Sequence, residues 1–204
     1  MDVVIGIDIG GTKTKIGLVN STGECLEKTF FRTKEYPDLD AYQDKLVESA
    51  NKLIEETAKP LNILGCGIGA PNASSKNGTI ENASNLLWKG SVPFLEKLGK
   101  KMPLPMRIMN DASAAALGEM LFGSAKKMTD FIAITLGTGF GAGIVANGHV
   151  WSNNRIGNST ISANTHRRNN DGIVEFRKTF RGKTFLFEHD GIGFQKDISF
   201  ATIV

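Results

Sequence analysis

Residues 3–19 read VVIGIDIGGTKTKIGLV, and the fold is decided there. Val3, Val4, Ile5, Ile7 and Ile9 favour a strand, Gly10 and Gly11 break it, and Thr14, Ile16, Leu18 and Val19 begin a second strand. The pattern predicts a tight hairpin. Gly10 and Gly11 carry no Cβ, so an anion can approach their backbone N–H groups, with the Thr12 hydroxyl and the Lys13 ammonium beside them. The turn suits phosphate. Asp8 lies at the end of a buried strand, where an unpaired carboxylate is costly, and a magnesium ion or a bound polar ligand gives it a reason to be there. A plain hairpin with a surface lysine would use the same residue types, so the reading depends on the rest of the chain.

The chain has 204 residues, enough for one large or two small domains with a sizeable core. An apolar share of 41% and a charged share of 22% belong to a soluble globular protein. The net charge of +3 decides nothing about nucleic acid, because the basic residues are scattered and mixed with nearly as many acids; no nucleic-acid partner is expected. Cys25 and Cys66 stand in neither a redox nor a metal spacing, which points to reduced thiols and a cytoplasmic protein. No targeting segment or membrane-spanning run is visible, so no membrane partner is expected.

After the hairpin, Cys25 to Thr33 reads as a third meandering strand. Asp38 caps a helix in which Leu39, Tyr42, Leu46, Ala50, Leu53 and Ile54 recur at helical spacing. Leu61 to Ile68 is a short buried strand, ending in the loop Gly69-Ala70-Pro71-Asn72, and the element order implies a mixed sheet with a covered face. A helix from about Val92 to Gly99 and a strand from Met106 to Met109 follow.

Asn110-Asp111 then stands at the junction of a strand and an Ala-rich helix, ASAAALGEMLFG. One of the two suffices as an N-cap; capping does not call for both. A carboxylate at the carboxyl end of a buried strand faces the crevice where α/β proteins bind ligands, and can take a proton from a hydroxyl there.

Phe131 to Leu136 forms another strand, Gly137-Thr138-Gly139 turns it into Phe140 to Ala146, and Asn147-Gly148 closes a hairpin. GTGFGA satisfies the dinucleotide fingerprint in letters, but a strand follows where that motif must open a helix, so the fingerprint is rejected. The stretch ITLGTGFGAGIVA instead repeats IDIGGTKTKIGLV as strand, Gly/Thr turn, strand. Two related half-domains would each offer a phosphate-binding turn to a shared cleft.

Together IDIGGTKTKIGLV, GIGAPN, NGTIENASNLLW, MNDASAAALGE and ITLGTGFGAGIVANG resemble the ROK family of repressors, uncharacterised reading frames and sugar kinases, from Ile5 to about Val150. The resemblance implies an α/β actin-like and hexokinase-like ATPase fold of the ribonuclease H-like kind. Residues 1–122 would form the N-terminal lobe, 123–151 the start of the second lobe, and 152–204 a divergent tail. It implies a glucokinase-like enzyme moving the γ-phosphoryl of ATP, with magnesium, to a hexose hydroxyl, and it makes homodimers a family expectation. Asp111 matches the base. Asn85 and Asn110 match positions that bind sugar hydroxyls, with Gly69 beside them. Gly10, Gly11, Thr12 and Lys13, and Gly137, Thr138 and Gly139, match the phosphate turns, and Asp8 matches the carboxylate near magnesium. Asn72 and Ser84 depart from the residues usual at their positions.

Beyond Val150 the family continues with a Gly-Glu-x-Gly-His segment and a Cys-rich zinc knuckle, and neither is present. WSNNRIGNSTISANTHRRNNDG stands there instead, without cysteine, so no zinc is expected; His166 alone could replace the missing histidine. Divergence of a real domain would have to erase both features at once, whereas a shifted reading frame near codon 151 does so in one event. On that reading the tail has little order after about residue 152, and kinase activity of this chain is weak or absent. A kinase for fructose or an N-acetylated amino sugar fits equally well, as does a non-catalytic sugar- or nucleotide-binding fragment. A repressor would need a helix-turn-helix before the first hairpin, which begins at residue 3.

Overall fold

The computed structural model describes residues 1–57, 59–136, 140–151, 174–180 and 183–189. Strands β1 (Asp2–Ile9) and β2 (Lys13–Asn20) form the expected antiparallel hairpin, with Asp8 opposite Lys15 and Ile9 opposite Thr14. Strand β3 (Cys25–Arg32) adds to β2. Helix α1 (Leu39–Glu55) begins where expected, the Asp38 carboxylate accepting the Ala41 N–H at 2.9 Å. Strand β4 (Asn62–Ala70) returns parallel to β1. The short strands β5 (Ala73–Ser74), β6 (Thr79–Glu81) and β7 (Ser91–Val92) form a small antiparallel sheet. Helix α2 (Phe94–Lys101) then leads to β8 (Met106–Asn110), which is parallel to β4. The main sheet has the order β3-β2-β1-β4-β8.

Strand alternation sorts the two faces of this sheet. Val3, Ile5, Ile7 and Ile9 are essentially inaccessible, and Ile5, Ile7 and Ile9 pack in one core with Tyr42, Leu46 and Ala50 of α1 and Phe94 and Leu98 of α2. Asp8 has the opposite parity and is half-buried. Several expected boundaries move: β3 ends at Arg32, Thr33 opens a short 3-10 turn, and β8 runs on to Asn110. Gly69 is a strand residue and not part of a loop, because it pairs with Met109 and Ala70 with Asn110. Helix α2 starts after Pro93, since Val92 is held opposite Ile80, and proline tolerates a helix start because it has no N–H to leave unpaired.

Helix α3 (Asp111–Leu121) follows β8 directly. Strands β9 (Phe131–Leu136), β10 (Phe140–Ala146) and β11 (His149–Trp151) form a second antiparallel sheet. Asn147 and Gly148 have φ of 53° and 71°, the left-handed pair that the Asn-Gly signal demands. This sheet lies directly on α3: a Cβ on Gly143 would meet the Ala112 carbonyl oxygen and come within 2.6 Å of Ala116 Cβ.

The internal repeat is visible as two hairpins, with one difference of register. The first ladder closes at Ile9 and Thr14 and the second at Leu136 and Phe140, so the second loop is one residue shorter. The equivalent of Gly17, which pairs with Gly6, is therefore Gly143, which pairs with Ala133.

After Trp151 the described residues are β12 (Val174–Phe180) and β13 (Lys183–His189), paired antiparallel with Phe176 opposite Phe187. The sequence gives no clear face here because Lys178 interrupts the alternation of Val174, Phe176 and Phe180. Residues 152–173, with His166, and 190–204 lie outside the described residues. Among the described residues no helix is long and apolar enough to cross a membrane.

Candidate active site

Register brings Asp8, Gly69, Asn110 and Asp111 to one edge of the main sheet. Asp8 of β1 is paired with Gly69 of β4, and Gly69 with Met109 of β8. Three parallel strands thus end side by side, the place where open α/β sheets form ligand crevices. Asn110 and Asp111 continue from the third of these strands into α3.

The two adjacent polar residues divide the work. Asn110 is the N-cap, its Oδ1 accepting the Ser113 N–H at 3.2 Å. The Asp111 Oδ1 accepts the Ala112 N–H at 2.8 Å. Burial pushes the Asp111 carboxyl above the usual carboxylate range and the negative charge of Asp8 pushes it further up, while hydrogen bonds from the Ala112 and Asp111 N–H groups and from the Asn110 side chain oppose this. A carboxylate that is desolvated and faces a second negative charge is held as a better base than an exposed one.

Asp8 forms an ion pair with Lys15, its cross-strand partner, at 3.3 Å. Among the described residues no three His, Cys, Asp or Glu side chains are grouped to hold a metal. A magnesium ion does not need such a group. It keeps most of its waters and takes one or two carboxylates together with substrate phosphates, so Asp8, beside Asp111 and with Lys15 as counter-charge, fits it.

The Gly10–Lys13 turn stands next to the Asn85 loop. Neither Gly10 nor Gly11 has a positive φ. A Cβ on Gly11 would lie 2.7 Å from the Asn85 carbonyl oxygen, and one on Gly10 2.8 Å from the Lys13 carbonyl oxygen. The missing side chains are thus already used inside the protein: Gly11 lets the candidate phosphate turn touch the candidate sugar loop. Thr12 and Lys13 are exposed, and the Lys13 ammonium sits 4.4 Å from the centre of the Phe30 ring. Gly137, Thr138 and Gly139 lie outside the described residues; their flanks, Leu136 and Phe140, are paired.

Sequence reasoning missed Lys15 as the partner of Asp8 and missed the hydroxyls behind the turn. Thr14 bonds Thr33 at 2.9 Å and Tyr42 at 2.8 Å. The available signal was parity, since Thr14 shares the face of Ile16 and Leu18 and so had to be buried. Burial raises the Tyr42 phenol far above its ordinary pKa, against the Thr14 hydrogen bond and with help from the charge of Asp8.

The family model described as the ROK family matches residues 4–161. A glucokinase of Halalkalibacterium halodurans is 34% identical over 148 residues, 72% of this chain and 44% of that protein. A xylose repressor of Caldicellulosiruptor bescii is 35% identical over 170 residues, 78% of this chain and 41% of that protein. Among solved structures, a ROK glucokinase of Streptomyces griseus in complex with glucose and AMPPNP superposes with a TM-score of 0.66 at 33% identity, covering 73% of this chain and 46% of the other. The chain thus spans less than half the length of each of these relatives.

Proposed function

We propose, from the premise that this chain belongs to the ROK family, that it carries the catalytic half of an ATP-dependent hexose kinase, with glucose as the preferred sugar. The observation that carries the reading is the division between Asn110, which caps α3, and Asp111, half-buried and raised in pKa at the ends of three parallel strands. Residues 1–122 serve as the lobe with this crevice, 123–151 begin the opposing lobe, and 152–204 form a divergent tail.

In this reading the amide of Asn85 and the remaining hydrogen-bonding capacity of Asn110 hold sugar hydroxyls near Gly69. Asp111 accepts the proton of the attacking hydroxyl, a contribution of roughly 10²–10⁴-fold. Its raised pKa strengthens it as a base. The N–H groups of the Gly10–Lys13 turn and the Lys13 ammonium receive the negative oxygens of ATP, and Gly137, Thr138 and Gly139 would do so from the other side. Asp8 would hold magnesium, which when bound neutralises charge on the phosphates. Free Cys25 and Cys66 accord with a reducing, cytoplasmic setting.

A coupled ADP-release assay across glucose, fructose and N-acetylated amino sugars tests the reading. Release that depends on glucose and is abolished by Asp111→Asn supports it. Release that is fastest with another sugar reassigns the substrate. Sugar binding without release from any of them makes the chain a non-catalytic binding fragment.

A further inference from the structure

Behind the Gly10–Lys13 turn lies a file of three side-chain hydroxyls. The Thr33 hydroxyl donates to the Gly10 carbonyl at 2.7 Å. Thr33 and Thr14 hydroxyl oxygens are 2.9 Å apart, and those of Thr14 and Tyr42 2.8 Å. A carbonyl can only accept, and each hydroxyl has one proton to give. The direction of the whole file follows: Tyr42 donates to Thr14, Thr14 to Thr33, and Thr33 to Gly10.

The fold does not require this arrangement. Thr14 and Tyr42 are fully buried and Thr33 is 4% exposed; valine at the threonine positions and phenylalanine at Tyr42 would fill nearly the same space without polar groups. Replacing hydrogen-bonded partners together by apolar ones of the same shape is close to neutral. The one group that needs the file is the carbonyl on which it ends.

That carbonyl matters because of peptide geometry. In a trans peptide the C=O and the following N–H point in opposite directions. With the Gly10 carbonyl drawn inward to Thr33, the Gly11 N–H must point away from the core, and among the described residues it has no backbone acceptor. Thr33 acts a second time through its own N–H, which donates to the Thr12 carbonyl at 3.1 Å and so turns the Lys13 N–H away from β3. One residue outside the GGTK motif therefore aims two of its N–H groups.

We propose that Thr33, Thr14 and Tyr42 are positioning residues of the phosphate turn: a one-way hydroxyl chain from α1 through β2 to Thr33, the residue that follows β3, fixes the Gly10 carbonyl and thereby presents the Gly11 N–H to an anionic ligand. The proposal rests on the reading of the turn as the triphosphate site. None of the three residues touches the nucleotide.

The test uses the full chain, with AMPPNP and glucose binding measured by calorimetry and the thermal midpoint measured alongside. Thr33→Val should weaken AMPPNP about tenfold, on the scale of one hydrogen bond whose loss also frees the turn, and leave glucose affinity unchanged. Thr33→Ser, which keeps the hydroxyl, should bind AMPPNP as the unaltered chain does. Tyr42→Phe removes only the first donor and keeps the ring contacts with Phe31, Trp88 and Phe94, and should weaken AMPPNP about threefold; it carries the test if Thr33→Val fails to fold. AMPPNP affinity unmoved in both Thr33→Val and Tyr42→Phe overturns the proposal and leaves the kinase reading standing, as does an equal loss for AMPPNP and glucose or an equal loss in Thr33→Ser. An unaltered chain that does not bind AMPPNP removes the phosphate reading and the proposal together.

Discussion

The two hairpins are built to one plan and packed in different ways. In the first, Ile16, Leu18 and Thr14 fill a core under α1, and the opposite parity carries the Asp8–Lys15 ion pair. In the second, the residues equivalent by register to Lys15 and Gly17 are Gly141 and Gly143, and α3 lies close enough that a Cβ on either would meet Ala112. The first hairpin reaches its helix through side chains and so can carry a hydroxyl file and a charge. The second meets α3 with its backbone pressed against Ala112 and Ala116, and among its described residues it carries neither. The difference teaches that a strand–Gly turn–strand repeat fixes the direction of the chain at a candidate phosphate turn, whereas the flanking side chains decide how that turn is held. Helix α3, with Asp111 at its start, contacts both the main sheet and the second one.

The largest expected effect falls on the residue at that junction. In a fusion of residues 1–150 to the remaining part of the Halalkalibacterium halodurans glucokinase, Asp111→Asn should lower kcat at least about 10²-fold with the sugar still bound, because the amide keeps hydrogen bonds and cannot take the proton. Turnover within a few fold of the unaltered fusion would leave Asp111 as a structural residue. The two glycines at equivalent register give the next largest contrast. Gly143→Ala presses on the Ala112 carbonyl and Ala116 and should cost about 2 kcal/mol of stability. Gly17→Ala meets Cys25 Sγ at 3.0 Å, a side chain that can turn aside, and should cost well under about 1 kcal/mol. Equal losses in urea unfolding would erase the claimed difference in packing.

Gly11→Ala should act on both ligands at once. Its Cβ would be driven against the Asn85 carbonyl, so AMPPNP and glucose affinities should each fall by about tenfold in calorimetry, a cost of about 1.4 kcal/mol. A loss confined to AMPPNP would mean that the turn and the sugar loop are independent. The smallest effect concerns stability against pH. The Asp111 carboxyl is raised in the folded state, so its ionised form costs stability above the folded pKa, and that cost fades as pH falls towards the unfolded value of about 3.9. Asp111→Asn should therefore raise the thermal midpoint at pH 7 by a small margin that closes in acid. A midpoint lowered at pH 7 would mean that the charge stabilises the fold.

Much of this was legible in the sequence because the signals were local. The Gly-Gly and Asn-Gly turns, the Asp38 cap and the alternation of Ile5, Ile7 and Ile9 each need only near neighbours to be understood, and strands and helices fell where those residues put them. The Asn110-Asp111 pair was legible as one residue too many for a cap. What escaped depended on contacts across the chain. Thr33 is a good strand residue whose partner is a carbonyl 23 positions away, and nothing near Lys15 reveals that its ammonium meets Asp8. Gly11 was legible as a glycine, but the neighbour that requires it, Asn85, lies far along the sequence. The Phe-rich run 174–189 was obscured by Lys178, and its ladder depends on pairing with a second segment.

The central claim is that one crevice, at the ends of β1, β4 and β8, takes a nucleotide triphosphate and a hexose side by side. Titration of the ¹⁵N-labelled chain with AMPPNP and then glucose, followed by amide resonances, tests it most directly. AMPPNP should move Gly10, Gly11, Thr12 and Lys13 first, and glucose should move Gly69, Asn85, Asn110 and Asp111. Saturating additions that leave both groups of amides in place, or that move residues elsewhere instead, would contradict it.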